Sequence, residues 1–491
     1  MDELMAQRLA KLDALRAAGM DPFPPRAARS HTAAEVTAIV EALPAEGHEA
    51  EIDAVDVAGR VVGRRDMGKA TFIDLQDGSG RIQVLLRRNA LSEGLYDALR
   101  LIDLGDFVGV HGLPMRTRTG QPTVGATTWT MLSKALHSPP EKFHGLADVE
   151  MRQRRRYLDL MANEETRTVF TIRSRAIAAI RRFLDARGFL EVETPILHQS
   201  ESGAAARPFV THFNALDEDR VLRISLELHL KRLIIGGFER VYEIGRNFRN
   251  EGMSFKHNPE FTMIETYQAY ADYNDVARMV EEMVSSVALE VLGTTRITFR
   301  EQEIDLAPPW RRVTFLQAMR EYGGPDLDEF TTAGDLRSEL RRRGLQTADT
   351  AGYGKLADEA MSAYIEPNLI QPTFLLDYPV ELSPLAKRHP TNPRLVERFE
   401  CFMAGFEFGN AYTELNDPVE QRARFDEQLA LQAAGDDEVE LVDDDFLFAL
   451  EHGMPPTGGF GMGIDRLIMM LAGQSSIRDV ILFPPHKTLK Q

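Results

Sequence analysis

Residues 246–261 read RNFRNEGMSFKHNPEF. Apolar and polar residues alternate on either side of this stretch, so strands fit 240–248 and 260–268, joined by a polar loop. Residues two apart share a strand face, so Phe261, Glu265 and Tyr267 line up. Arg249, Glu251, His257 and Asn258 crowd the loop. Carboxylates, an arginine and aromatics around one hairpin can hold a cation, an oxyanion and a flat base. A surface hairpin laced by cross-strand ion pairs uses the same residue types.

Working outward, helix 225–235 begins at Ser225 and stops at Gly236-Gly237, and helix 274–292 follows the hairpin. Upstream, Asn163 is a candidate N-cap with Glu164 and Glu165 in the first turn, where the helix dipole favours anions. Val169, Ile172, Ala176, Ile180 and Phe183 form its apolar stripe, and Gly188 is a stop signal. A strand at 189–193 ends in Thr194-Pro195. Downstream, 326–370 reads as helical, inserted and loosely attached. Strands resume at 372–380, 398–408 and 410–416, and an acidic surface stretch fits 436–445.

A second constellation lies in those strands. Asn410, Tyr412 and Glu414 share a face, and Gly409 can mark a bulge that re-aims the chain after Glu407. The run 399–408 is otherwise apolar, so Glu400 and Glu407 sit in or beside a core. Buried carboxylates need a counterpart, either a metal ion or arginines. The third constellation is a glycine-rich strand–turn–helix at 457–472 containing GGFGMGIDR, with Arg466 in the first helical turn. Neither G-x-x-x-x-G-K-[ST], G-x-G-x-x-G nor H-E-x-x-H occurs. A nucleotide would therefore be handled on an antiparallel sheet.

The first third has a different period. Segments 55–62, 70–76, 80–87, 105–112 and 121–131 are rich in Val, Ile, Phe and Thr, with a helical stretch at 91–101 after the third. Five short strands so arranged suggest a Greek-key barrel of the OB type. Short helices fit 1–18 and 34–43 before it, and Ser138-Pro139-Pro140 leads out. The fold class is thus an all-β OB-type barrel followed by an α+β domain, an antiparallel sheet flanked by helices. The expected divisions are a helical extension at 1–50, the barrel at 51–140, a linker at 141–155 and the α+β domain at 156–491, containing the helical insertion.

The chain has 491 residues and a formal charge of −18, with 43% hydrophobic and 27% charged residues, the profile of a globular protein. Positive charge is uneven: residues 55–140 carry 11 Lys and Arg against 8 Asp and Glu, whereas 401–491 carry 6 against 16. The barrel can meet phosphates while the C-terminal part gathers carboxylates. One cysteine, Cys401, excludes an internal disulfide and Cys-based zinc sites, and reads as a buried small hydrophobe. The absence of a long apolar run excludes a membrane helix, and the first residues lack a signal-peptide core, so the expected address is the cytoplasm.

Taken together, these motifs resemble the three signature motifs of the class II aminoacyl-tRNA synthetases, and within them the lysyl enzymes that carry an N-terminal OB anticodon-binding domain. The resemblance runs from Gly59 to Lys487. It is carried most specifically by ARPF at 206–209, LELHLKR at 226–232, the 246–261 stretch, ELND at 414–417 and GMGIDR at 461–466. The resemblance implies ATP-dependent ligation of L-lysine to tRNA(Lys) through a lysyl-adenylate, with the tRNA 3′-hydroxyl as acceptor. It also implies residue roles. Arg249 would meet the α-phosphate and the substrate carboxylate, with Arg466 as the second catalytic arginine. Glu251 and Asn258 would hold adenine and ribose, Phe261 would stack on adenine, and His257 and Arg466 would meet the terminal phosphates. Glu400 and Glu407 would ligate Mg²⁺, with Glu400 also in the ATP site.

For lysine, the resemblance implies that the Gly203 backbone and Glu227 bind the α-amino group and that Asn410 lies beside the carboxylate. Glu265, Tyr267 and Glu414 would surround the ε-ammonium, and Tyr412 would cover the aliphatic stem. In the barrel, Arg64, Phe72 and Gln83 would stack on and read the middle anticodon base; the bland reading of Phe72 is barrel core. Segment 166–195 resembles the motif of a two-fold dimer interface. Where lysyl enzymes carry two glycines, this chain has Ser202-Gly203. Two rival readings remain. A truncated relative that modifies elongation factor P lacks the barrel, and a non-catalytic, regulatory paralogue would have lost Arg249, Glu400, Glu407 or Arg466.

Overall fold

A computed structural model describes residues 3–42, 53–140, 148–199, 203, 206–433 and 443–487. Two compact units meet at 147/148. Ser202, the first seven residues of the expected linker (141–147) and most of the acidic stretch (436–442) lie outside the described residues, while 148–155 of that linker holds helix Val149–Arg154 and belongs to the second unit.

In the first unit, β1 (Val55–Met67), β2 (Ala70–Gln76), β3 (Arg81–Arg87), β4 (Phe107–Arg116) and β5 (Pro122–Ser133) close into a barrel in the order β1-β2-β3-β5-β4. Alternation along β1 and β2 sends Val55, Val57, Val61, Ile73 and Leu75 inward. A bulge between Val61 and Gly63 then shifts the register against β2. The helical extension is not separate from the barrel. Helix Ala33–Glu41, held by a capping box between Thr32 and Glu35, buries Val36 and Val40 in the barrel's own core, and Leu15 of helix Glu3–Ala17 joins them.

The second unit is built on an eight-stranded sheet, with five further strands in two small sheets. In chain order its strands are β6 (Leu190–Glu191), β7 (Leu197–His198), β8 (Val210–Phe213), β9 (Glu218–Leu222), β10 (Arg240–Phe248), β11 (Glu260–Ala269), β12 (Arg296–Phe299), β13 (Gln302–Asp305), β14 (Arg311–Thr314), β15 (Thr373–Pro379), β16 (Leu395–Met403), β17 (Phe406–Thr413) and β18 (Thr457–Gly463). The main sheet runs β14-β15-β16-β17-β18-β11-β10-β6. Its interior is antiparallel as expected, but both edge pairs, β14/β15 and β10/β6, are parallel. One face is covered by helices Glu164–Asp185, Tyr273–Leu292 and Ile464–Leu471, around Phe399, Cys401, Phe408, Phe460 and Met462.

Several expectations need correction. Asn163 stands at its N-cap, but its side chain bonds Asp159 at 2.6 Å instead of capping the helix. The turn after β16 falls at Ala404-Gly405, both with positive φ, rather than at Gly409. Gly409 lies inside β17, where the register against β16 does shift, leaving Phe408 as the extra residue. The insertion is firmly attached. Leu336 and Leu340 of helix Ala333–Arg342 and Leu356, Ala357 and Ala360 of helix Tyr353–Tyr364 are fully buried, packed with Leu375, Tyr378, Val396 and Phe402 of the sheet.

Candidate active site

The sheet's second face forms the floor of a cleft of about 660 Å³. Strand pairing explains its composition. Tyr267, Gly459, Tyr412 and Arg398 are register neighbours across β11, β18, β17 and β16. Glu265, Gly461, Asn410 and Glu400 form the next row. Directly opposed residues point to one face, so each row presents polar side chains flanking a glycine. The glycine is required: a Cβ at Gly459 would lie 1.9 Å from Glu414 Oε1 and 2.6 Å from the Tyr267 ring. The β17 bulge reverses side-chain parity, so Glu407, opposite Phe402, joins the face of Asn410 and Glu400.

Every residue proposed from sequence for ATP, metal or amino acid lines this cleft. On the β10–β11 loop, Arg249 N–H donates to the Pro259 carbonyl at 2.9 Å, and its guanidinium lies 5.4 Å from the Phe261 ring centroid. Arg249 and Asn258 line the cleft, and Arg249 Nε and Asn258 Oδ1 are buried with no hydrogen-bond partner among the described residues. Glu251, Gly252 and His257 belong to the same loop. Partial burial, then the nearby Arg466, lowers His257 to about 4, so it is neutral at neutral pH. Asp465 takes the Thr262 N–H at 2.7 Å and Arg173 at 2.5 Å, tying the helix that carries Arg466 to β11.

At the other wall both glutamates have arginine counterparts. Glu400 accepts from Arg398 at 2.5 Å and from the Tyr378 hydroxyl at 2.9 Å, and Arg466 meets Glu407 at 3.1 Å. Burial still pushes Glu400 up to about 7; Arg398 pulls it down, and the charge of Glu407 raises it. The two carboxylates therefore lie close enough to repel each other, and a pair of hard oxygen donors is the residue chemistry that fits Mg²⁺. Among the described residues no three acidic, histidine or cysteine side chains cluster as a closed metal cage.

One end of the cleft is a nest of buried acids. Glu227, Glu265 and Glu414 are 8%, 3% and 1% exposed. Glu265 accepts from the Leu226 N–H at 3.1 Å, the Ser225 hydroxyl at 3.2 Å and the Tyr267 hydroxyl at 3.0 Å. Burial, then Glu227, nevertheless raises it to about 7. Glu414 is raised to about 8, again chiefly by burial. Gly203, buried with φ of 86°, lines the same cleft beside Ser225 and Leu228.

The sequence reading missed two residues here. Arg398 fixes Glu400 and also donates to Asn410 at 3.0 Å. Lys231, inside LELHLKR, is fully buried against Glu227 and Glu414. The Glu227/Lys231 spacing of four on one helix was the available signal.

In the barrel, Phe72 is half-buried on the outward face of β2 and is not core. Gln83 is buried, bonded to Thr123 at 3.1 Å and Gln121 at 3.2 Å. Register places Leu85 and Arg65 opposite Phe72, with Gln83 two residues from Leu85 on that face. Arg64 is opposite the inward Ile73, and its guanidinium is spent on the Leu99 and Ile102 carbonyls at 2.7 and 2.8 Å and on Asp66. Arg65, half-exposed and 3.3 Å from Asp74, holds the outward position instead.

Residues 148–487 match the family described as tRNA synthetases class II (D, K and N), and 55–132 match the OB-fold nucleic acid binding domain. The lysine–tRNA ligase of Dehalococcoides mccartyi (strain CBDB1) is 53% identical over 99% of this chain and 97% of its own length. That of Roseiflexus castenholzii is 54% identical over 99% and 98%, and that of Moorella thermoacetica 53% identical over 98% and 97%. With matches of this extent, and a barrel joined to a class II catalytic sheet, the chain belongs to the class II tRNA synthetases of the D, K and N group.

Proposed function

We propose that this protein is a lysine–tRNA ligase, which activates L-lysine with ATP and transfers it to tRNA(Lys), releasing AMP and pyrophosphate. The observation that carries the reading is the nest of Glu227, Glu265 and Glu414 at one end of a cleft whose other end holds Arg249. An alkyl-ammonium leaves water only for anionic, hydrogen-bonding surroundings, and an amino acid without one leaves those acids unpaired.

In the first step the lysine carboxylate attacks the α-phosphorus in line, and the α–β phosphoanhydride bond breaks to release pyrophosphate. Arg249 offsets the charge on the α-phosphate and orients the carboxylate, so positioning and electrostatics do most of the catalysis. Asn258 and Glu251 hold the nucleoside against the Phe261 ring, and His257 and Arg466 face the terminal phosphates. Glu400 and Glu407 would hold Mg²⁺, which neutralises phosphate charge when bound. In the second step a hydroxyl of the terminal tRNA adenosine attacks the adenylate carbonyl and AMP departs.

The test is amino-acid-dependent ATP–pyrophosphate exchange across the twenty amino acids. Lysine alone is expected to support it; exchange with aspartate or asparagine instead overturns the assignment. The elongation-factor alternative is not favoured, because the barrel is present. The non-catalytic one is not favoured either, because Arg249, Glu400, Glu407 and Arg466 line one cleft.

For the anticodon we assign Phe72 as the stacking platform, with Arg65 and Gln83 beside it. Phe72→Ala is expected to lower tRNA charging by about tenfold to a hundredfold, the worth of one base–aromatic stack, with exchange unchanged. A parallel fall in exchange would mean that Phe72 only supports the barrel. The protein is further proposed to be a homodimer through the region around β6–β9, where Leu190, Ile196, Leu197 and Val210 are 43–66% exposed. Sedimentation should give twice 55.2 kDa; a monomer at micromolar concentration would refute it. A single buried cysteine and the tRNA substrate fit a cytoplasmic address. No helix among the described residues is long and apolar enough to cross a membrane.

A further inference from the structure

One charged group in the amino-acid pocket takes no part in the reaction above. The Lys231 ammonium donates to Glu227 Oε1 at 2.5 Å and pairs with Glu414, which follows β17. From β11, Glu265 and Tyr267 face the same space. From helix Asp444–Leu450, the Phe446 ring lies 5.8 Å from Lys231 Nζ. The other charged or titratable groups of helix Glu227–Ile235 are engaged elsewhere: Arg232 pairs with Asp443 and Asp445, and His229 stacks on His198.

When fully ionised, the three buried carboxylates and the one buried ammonium leave two net negative charges. Lysine brings two ammonium groups to this end of the cleft, and its carboxylate goes to Arg249. We propose that Lys231 is a specificity-determining residue that sets the pocket's charge to the value two substrate ammonium groups neutralise. This inference rests on lysine being the substrate. Without Lys231, three carboxylates would share one enclosed space with no cation, and repulsion would hold protons on them to higher pH. A protonated carboxyl gives the incoming ammonium no charge-assisted hydrogen bond, so lysine would first have to displace the proton.

The direction with pH follows. Glu265 and Glu414, raised to about 7 and about 8, ionise as pH rises, so lysine affinity should climb over that range and binding should release protons. Lys231 pulls Glu414 down, so removing its charge moves the climb to higher pH.

Lysine binding to the full-length protein should be followed calorimetrically from pH 6 to 9, in buffers of different ionisation enthalpy that report proton release. Lys231→Met is expected to shift the climb upward by about one pH unit, so that lysine binds roughly tenfold more weakly at pH 7 while ATP affinity is unchanged. Lys231→Arg should restore the wild-type profile. Lysine and ATP affinity falling in equal proportion at every pH, with proton release unaltered, would make Lys231 merely structural and overturn the inference. If Lys231→Met fails to fold, Lys231→Met combined with Glu227→Gln removes the cation with one carboxylate and returns the pocket to two negative charges. Glu227 faces the substrate, so affinity itself should fall in that double variant and the readout is the pH at which affinity climbs: the wild-type position supports the proposal, and a shifted one overturns it. Wild-type protein that binds no lysine at any pH would overturn the substrate reading as well, a result distinguishable from failure in the variants alone.

Discussion

Arg249→Ala is expected to lower lysine-dependent pyrophosphate exchange by about a thousandfold or more in kcat/KM, with the fold retained. Loss of a single preorganised donor to a developing oxyanion typically costs about 10²–10³ in rate. Arg249 is a charged fork able to give two parallel hydrogen bonds, so its loss costs at least as much. Its surroundings are arranged for such a role. Burial disfavours its charge, while Glu251, Glu407 and Glu265 favour it, and Nε is left without an acceptor. The backbone that holds it, through Arg249 N–H to Pro259 and Asn250 N–H to Arg207, does not depend on the side chain. Arg249→Lys should recover only part of the loss, because an ammonium keeps the charge without the planar fork. Exchange within tenfold of wild type in the alanine variant would remove Arg249 from the reaction.

Glu414→Gln should raise the KM for lysine by about a hundredfold or more and leave the KM for ATP within about threefold. The substitution keeps shape, so the tight fit against Gly459 and Tyr267 survives. It removes one charge from a buried ionic cluster and sets an amide against Lys231. Breaking such a cluster by neutralising one member costs about 3–5 kcal/mol. The cost falls on the amino acid because the residues proposed for ATP lie elsewhere, on the β10–β11 loop and on the wall formed by β16, the start of β17 and Arg466. Proportional loss of both affinities would mean that Glu414 shapes the cleft as a whole and does not recognise the ammonium.

Much of this site was legible without coordinates, because strand faces are a local property. The alternation of Phe261, Glu265 and Tyr267 on β11, and of Asn410, Tyr412 and Glu414 near the end of β17, put the right residues on one side of a sheet. The barrel's five strands and the glycine strand followed from composition and spacing in the same way.

Parity failed as a guide where a bulge intervened. Counting from Val55, Val57 and Val61, Arg64 should point outward. The bulge before Gly63 reverses the alternation and turns Arg65 outward beside Phe72. The same device before Gly409 brings Glu407 round to Glu400, two residues that simple alternation along β17 would have separated.

The chain's own alternation, turns and glycines therefore determined the two folds and most of the acids, arginines and aromatics of the cleft. Tertiary structure alone decided which of those acids are already paired. Lys231 meets Glu414 only because helix Glu227–Ile235 packs on β10 and β11 through Leu228, Leu230 and Ile234, and the insertion is anchored only because Leu336, Leu340 and Leu356 find the sheet's Tyr378 and Phe402. The Lys231–Glu414 pair and the β1 bulge are set by elements distant in sequence, through the cost of leaving a charge unpaired and through hydrogen-bond register, whereas Gly409 and the Glu227/Lys231 spacing were local signals.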